Sequence, residues 1–157
     1  DEEGIELMMK KDRYLLATLL SPTPTPSKEL VNAKNKSVLD LLVSTAERHW
    51  RSIEKAYKAG VKIAFSTDAG TLGIAPGTNA LEFMNLQKIG MSNAEALKAA
   101  TSAAAAAIGH SDTIGRVVPG YRANLTVMSG NPLEDLTATQ RILMTLKDGK
   151  IVNDKRD

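Results

Sequence analysis

The first half of this 157-residue chain contains two kinds of hydrophobic pattern, short continuous apolar runs and segments with helical spacing, and the two kinds follow each other in turn. Residues 14–20 and 61–66 are short apolar runs without polar alternation, which predicts strands buried on both faces. Residues 37–60 place apolar side chains at steps of three and four, which predicts an amphipathic helix. A shorter helix is predicted at the start, where three acids precede an apolar stretch and two lysines. Strands that alternate with helices favour parallel pairing and an α/β fold.

Two further helices are predicted in the middle of the chain. One covers about residues 78–89. The other begins at Ser92, because Ser92 and Glu95 have the spacing of a capping box, and it ends near residue 107.

The last third of the chain has a different pattern, with short strand-like runs separated by turn residues. Asp148-Gly149 predicts a two-residue hairpin turn, because both residues tolerate the positive φ angles that such a turn needs. We therefore expect two parts, an α/β part over residues 1–112 and a small β unit over residues 113–157. The strands of that unit are predicted at residues 114–118, 124–129 and 141–147, with a return strand at 150–153.

Asp68 is the candidate for chemistry, because it follows the second predicted strand directly. Ligands of parallel α/β proteins bind at the carboxyl ends of the strands. A carboxylate there can bind a metal, accept a proton from water or orient an amine. The alternative is a turn or helix-cap aspartate. A second alternative is an anion site made by the backbone at Gly70, Gly73 and Gly77, although no P-loop lysine follows them.

Composition excludes several classes of protein. The 20 basic and 18 acidic residues give a net charge of +2, which offers no electrostatic reason to expect nucleic acid. The absence of cysteine excludes disulfides, thiol catalysis and a cysteine-ligated zinc site. No apolar run approaches the ~20 residues of a membrane helix, and no leader is visible, so we expect a cytoplasmic protein.

The two histidines do not form a metal site in the sequence. His49 stands among charged residues on the polar side of its helix, which predicts a solvated side chain, and His110 follows Gly109, which predicts a helix end at the surface. With two histidines, neither at a strand end, the chain cannot by itself assemble a zinc site with three protein ligands.

Residues 61–71, Val-Lys-Ile-Ala-Phe-Ser-Thr-Asp-Ala-Gly-Thr, resemble the eighth strand of the metal-dependent amidohydrolase superfamily. Downstream stretches resemble successive segments of that family in the same order, most closely its branch of imidazolonepropionase-related and Xaa-Pro dipeptidase-like enzymes. The resemblance implies a (β/α)8 barrel of the TIM type with a small β-sandwich. This chain would be the carboxyl-terminal part of the barrel plus the last strands of the sandwich. The downstream stretches are residues 94–101, 114–127, 130–133 and 147–150.

The family's chemistry implies roles for three residues of this chain. Asp68 would be a metal ligand and the proton shuttle for a metal-activated water that cleaves a C–N bond, amide or peptide-like. Thr71 and Gly73 would contact a small-molecule or dipeptide-like substrate. The metal would be divalent, with zinc expected as one or two ions, and its other ligands would lie outside this chain.

Two parallel strands cannot close a barrel, so apolar side chains such as Leu16, Leu19 and Ile63 are expected to stay partly exposed. We therefore expect the chain to associate with another copy or partner, or to belong to a larger polypeptide. The competing class is a non-catalytic fragment or subunit that completes a barrel with a partner chain. A third class is an independent α/β phosphate-binding module.

Overall fold

The computed structural model describes residues 1–20, 36–71 and 74–156. The proline-rich stretch at 22–26 and Gly73 lie outside these ranges. In chain order the elements are α1 (Glu2–Lys10), β1 (Tyr14–Leu16), α2 (Lys36–Lys58), β2 (Lys62–Ala64), α3 (Leu81–Lys88), α4 (Asn93–Lys98), a π-helical turn (Ala99–Ala103), α5 (Ala104–Ala107), β3 (Leu125–Met128), a 3-10 helix (Leu136–Gln140), β4 (Ile142–Lys147) and β5 (Lys150–Asp154).

The first sheet is the predicted parallel pair. β1 pairs with β2, with Leu15 opposite Ile63. The first strand is shorter than predicted, because Thr18 has a φ of +42° and turns the chain away two residues after β1 ends. Ala17 and Leu19 are nevertheless completely buried. The apolar run at 14–20 therefore predicts burial correctly, but only its first part is strand.

One apolar cluster joins the sheet to the helices. The expected partial exposure is wrong for Leu19 and Ile63, which are buried, and right for Leu16, which is 52% exposed. Leu136 of the 3-10 helix belongs to the same cluster, so residues from both parts of the chain share this core. The division at residue 112 stays a prediction. The buried members of the cluster are Ala17, Leu19, Ile53, Ile63, Leu86, Ile89, Met91, Ala96, Ala99 and Leu136.

The capping box predicted for α4 is present. Ser92 Oγ accepts a hydrogen bond from the Glu95 N–H, and Glu95 Oε2 accepts one from the Ser92 N–H at 2.8 Å. The helix continues through the π-helical turn into α5. Phe65, the residue after β2, donates its N–H to the Ala99 carbonyl at 3.0 Å. The start of the π-helical turn is thereby tied to the end of β2.

Two helix predictions can be compared at their ends. α3 begins at Leu81 rather than near residue 78, because residues 79–80 form a turn and Thr78 lies outside the helix. α2 matches its predicted span closely. Within the described ranges no helix has the length and apolarity needed to cross a bilayer.

The β unit has three antiparallel strands in the order β3-β4-β5. The Asp148-Gly149 hairpin is confirmed: Lys147 lies opposite Lys150, and the two turn residues have φ values of +48° and +77°. The strand predicted at 114–118 is wrong, because the chain bends there and pairs with no strand. There the chain passes close to the helix, and a Cβ placed on Gly115 would lie 2.8 Å from the Thr101 carbonyl oxygen.

This close approach predicts an unequal effect of two glycine substitutions. Gly115 and Gly120 both have positive φ (+86° and +88°), but a Cβ on Gly120 meets nothing within 4 Å. Gly120→Ala should therefore cost only the left-handed backbone strain, ~1–2 kcal/mol. Gly115→Ala should cost about 1–3 kcal/mol more, because the added methyl group overpacks against the helix. Urea unfolding of both variants measures the difference, and equal losses would contradict the close packing at Gly115.

Candidate functional site

Asp68 lies at the carboxyl end of the parallel sheet, four residues beyond the last residue of β2. Its side chain is exposed, and its backbone has a φ of +55°. The described helix that follows it begins at Leu81 and has Ala80 as its cap, so Asp68 does not cap that helix. The position is the one from which a side chain can serve a site at the strand ends.

Hydrogen bonds on both sides of Asp68 hold its unusual backbone. The buried Thr67 accepts the N–H of Ala69 on its Oγ1 at 3.3 Å, which closes a turn across Asp68. Thr71 donates its hydroxyl to the Asp68 carbonyl at 2.9 Å. A left-handed non-glycine residue is strained, and such contacts are what maintain it.

Thr71 makes a contact within the protein. Its hydroxyl bonds the backbone of Asp68, and the residue is exposed. A role for Thr71 in substrate binding stays a prediction. The same holds for Gly73, which lies outside the described residues.

Asn79 connects the Asp68 turn to the segment before α3. Its Nδ2 donates to Thr67 Oγ1 at 3.2 Å, and its Oδ1 accepts the Gly77 N–H at 3.1 Å. The Gly70 N–H donates to the Ile74 carbonyl at 2.9 Å. Because the amides of Gly70 and Gly77 already have partners within the chain, this loop does not offer them to an anion.

Glu82 is a residue that sequence reasoning missed. It lies in the first turn of α3 and is completely buried. Its Oε1 accepts the Leu19 N–H at 2.8 Å, and its Oε2 accepts Asn85 Nδ2 at 3.4 Å. Burial raises the pKa of Glu82 from its ordinary 4.5 to about 7, against the opposing effect of the backbone hydrogen bonds. A signal existed in the sequence, since Glu82 shares its helix face with Leu86 and Ile89 at steps of four and three.

The prediction that His49 is solvated is wrong. The residue is half-buried, and its Nε2 lies 2.9 Å from the Ala17 carbonyl oxygen. A carbonyl can only accept, so Nε2 carries the proton in this contact. His110 is exposed after the end of α5, as predicted.

The described ranges contain no group of three or more His, Cys, Asp or Glu side chains that could hold a metal ion. Asp68 offers one exposed carboxylate at the strand ends, a ligand type that zinc accepts. A metal at Asp68 therefore fits this structure only with further ligands from outside the described residues.

Comparison with known proteins shows the family to which this chain belongs. Residues 3–152 match the Amidohydrolase family, and the chain belongs to that family. It is 32% identical over 160 residues to an ochratoxinase of Aspergillus niger, covering 96% of this chain and 32% of that protein. It is 31% identical over 129 residues to an imidazolonepropionase of Fusobacterium nucleatum, covering 79% of this chain and 30% of that protein.

The fold of this chain is similar to part of a solved enzyme structure. A Xaa-Pro dipeptidase with bound methionine in its active site superposes with a TM-score of 0.87 at 28% identity. That match covers 98% of this chain and 37% of the dipeptidase. The chain therefore spans about a third of the length of the proteins it matches. Its α/β architecture is that of amidohydrolase structures.

The buried carboxyl group of Glu82 predicts how stability depends on pH. With a pKa of about 7 in the folded protein and 4.5 as its ordinary value, the folded state binds more protons between these limits. Stability should therefore fall as pH rises from about 4.5 to 7, by roughly 3 kcal/mol from this group. Glu82→Gln should remove that part of the slope in urea unfolding measured at pH 5 and pH 7. Identical slopes for parent and variant would show that Glu82 does not carry it.

Proposed function

We propose that the complete protein is a metal-dependent hydrolase of C–N bonds, amide or peptide-like, and that Asp68 serves the reaction directly. The observation that carries the proposal is the position of Asp68, an exposed carboxylate at the strand ends of a chain that belongs to the Amidohydrolase family. A small-molecule or dipeptide-like substrate is supported by the likeness to a Xaa-Pro dipeptidase.

The proposed work of Asp68 is to hold a divalent metal, zinc in our proposal, and to move a proton. A bound metal would lower the pKa of a water toward about 7, so that hydroxide could form near neutral pH. The Asp68 carboxylate takes the proton that the attacking water loses and delivers it to the leaving nitrogen. Thr67 and Thr71 keep the backbone of Asp68 fixed while its side chain does this.

The remaining ligands would come from outside the described residues. We propose that an upstream part of the same polypeptide, or another chain, supplies them. The matched proteins are about three times as long as the matched region. Leu16, half exposed on a strand of a two-stranded sheet, is consistent with further strands beside β1 and β2.

A second proposal is that this chain acts as a structural subunit, completing a barrel with a partner that holds the metal. The same exposed Leu16 supports it. Metal analysis of the chain alone and of the chain mixed with an upstream fragment separates the two ideas. Zinc held only by the mixture, and held equally when Asp68 is replaced, would favour the structural role.

Asp68→Asn in the complete protein tests the catalytic proposal. Loss of a ligand and proton carrier should lower kcat by about 10²–10⁴-fold, the range typical of positioned acid–base groups, and should reduce zinc content. Asp148→Asn is the matched control, because Asp148 is also an exposed aspartate at positive φ and asparagine suits its hairpin turn. Turnover and zinc by mass spectrometry are measured for both. Parental turnover in Asp68→Asn would refute the assignment.

A further inference from the structure

We propose that Glu82, together with Asn79, is a positioning residue that sets the two strand ends of the site relative to each other. The inference rests on the proposed function of Asp68. In this inference, side chains at the start of α3 hold the ends of β1 and β2 in a fixed relative position.

Asn79 and Glu82 reach different strands from neighbouring positions. They are three residues apart, and Glu82 lies in the first turn of α3 while Asn79 lies just before it. Asn79 donates to Thr67, the residue directly before Asp68, at 3.2 Å. Glu82 accepts the N–H of Leu19, beyond the end of β1, at 2.8 Å. One short segment therefore contacts both strand ends.

The two strand ends adjoin at the point that these side chains hold. The Ala17 N–H donates to the Ala64 carbonyl at 3.3 Å, which continues the pairing one step past β1. Thr18 then turns at a φ of +42°, and the Leu19 N–H points to the Glu82 carboxylate instead of a strand. The Leu20 backbone follows directly and, with the Leu19 amide, opposes the rise that burial causes in the pKa of Glu82.

A side chain from α2 holds the same turn from its other face. His49 Nε2 donates to the Ala17 carbonyl at 2.9 Å. Residues 17–20 are thus fixed by a donor from α2 and an acceptor from α3. The next polar group beyond Glu82 is Asn85, and the Lys88 ammonium donates to Asn85 Oδ1 at 3.3 Å.

Apolar packing alone does not explain why a carboxyl group is buried at position 82. An apolar side chain at this position would avoid the desolvation cost of a carboxyl group. What the carboxyl group adds is an acceptor, Oε1, directed at the Leu19 amide, whose strand pairing has ended. Catalysis is sensitive to such placement, because a displacement of about 1 Å from a distant mutation can cost 10²-fold in rate.

The test compares Glu82→Leu and Glu82→Gln in the complete protein. Glu82→Leu should lower kcat by about 10-fold or more with KM changed less than about threefold, because the strand ends shift while substrate contacts remain. Glu82→Gln keeps one acceptor oxygen and should recover kcat to within about threefold of the parent. Asn79→Ala should lower kcat in the same way, and its effect should not add to that of Glu82→Leu.

The matched control is Leu136→Ala, which empties a buried position of the same core on a different element. It should lower stability without changing kcat. Amide hydrogen exchange at Leu19 and Leu20 gives a readout independent of activity, and it should speed up in Glu82→Leu but not in Leu136→Ala. Zinc content of each variant is measured alongside.

Three results would overturn the inference: parental kcat in Glu82→Leu, equal loss of kcat in Leu136→Ala, or no recovery in Glu82→Gln. If the proposed function of Asp68 is wrong, the variants should give a different pattern of turnover and amide exchange. In that case Asp68→Asn keeps its turnover, while accelerated exchange at Leu19 and Leu20 in Glu82→Leu still reports whether Glu82 holds the end of β1.

Discussion

Parallel pairing of β1 with β2 brings the carboxyl ends of both strands to one edge of the sheet. The position of Asp68 depends on this pairing, because Asp68 follows the second strand of the pair. The helices depend on it too, since α2, α3 and α4 contribute residues to one cluster with Leu19 and Ile63. An antiparallel pair would have placed the segment after one strand at the opposite edge and left Asp68 without the neighbouring strand end.

The polar groups at this edge form a chain of contacts that crosses several elements. Thr67 closes the turn around Asp68, Asn79 bonds Thr67, and Glu82 bonds the turn after β1. Such an arrangement carries a desolvation penalty, because a buried carboxyl group has to be compensated by hydrogen bonds. Its donors are the backbone amide of Leu19 and the side-chain amide of Asn85. The edge is therefore held by directional contacts in addition to apolar packing.

The chain belongs to the Amidohydrolase family and covers about a third of the length of its relatives. In our proposal the chemistry takes place at this edge. The described residues supply one candidate ligand, and they supply the structure that keeps it in place. The β unit joins the same core through Leu136. The β unit therefore adds to the stability of this core through packing, without contact with the strand ends.

Local signals in the sequence are sufficient for features whose partners are close along the chain. The capping box of Ser92 and Glu95 and the turn at Asp148-Gly149 each involve residues within three positions of one another, and both predictions are confirmed. The order of strands and helices over residues 1–112 follows from hydrophobic periodicity, whereas the strand predicted at 114–118 is absent. The resemblance of residues 61–71 to an amidohydrolase strand indicates the family to which the chain belongs.

Tertiary structure decides the features whose partners are far apart in sequence. His49 bonds a carbonyl 32 residues away, and Glu82 bonds an amide 63 residues away. Periodicity classifies His49 as solvated, because it measures the polarity of a position and not what lies opposite. For Glu82 it indicates an apolar helix face but not the amide that the carboxylate bonds. Thr18 ends β1 early for the same reason: the apolar run signals burial, while the turn depends on acceptors and donors that α2 and α3 bring to it.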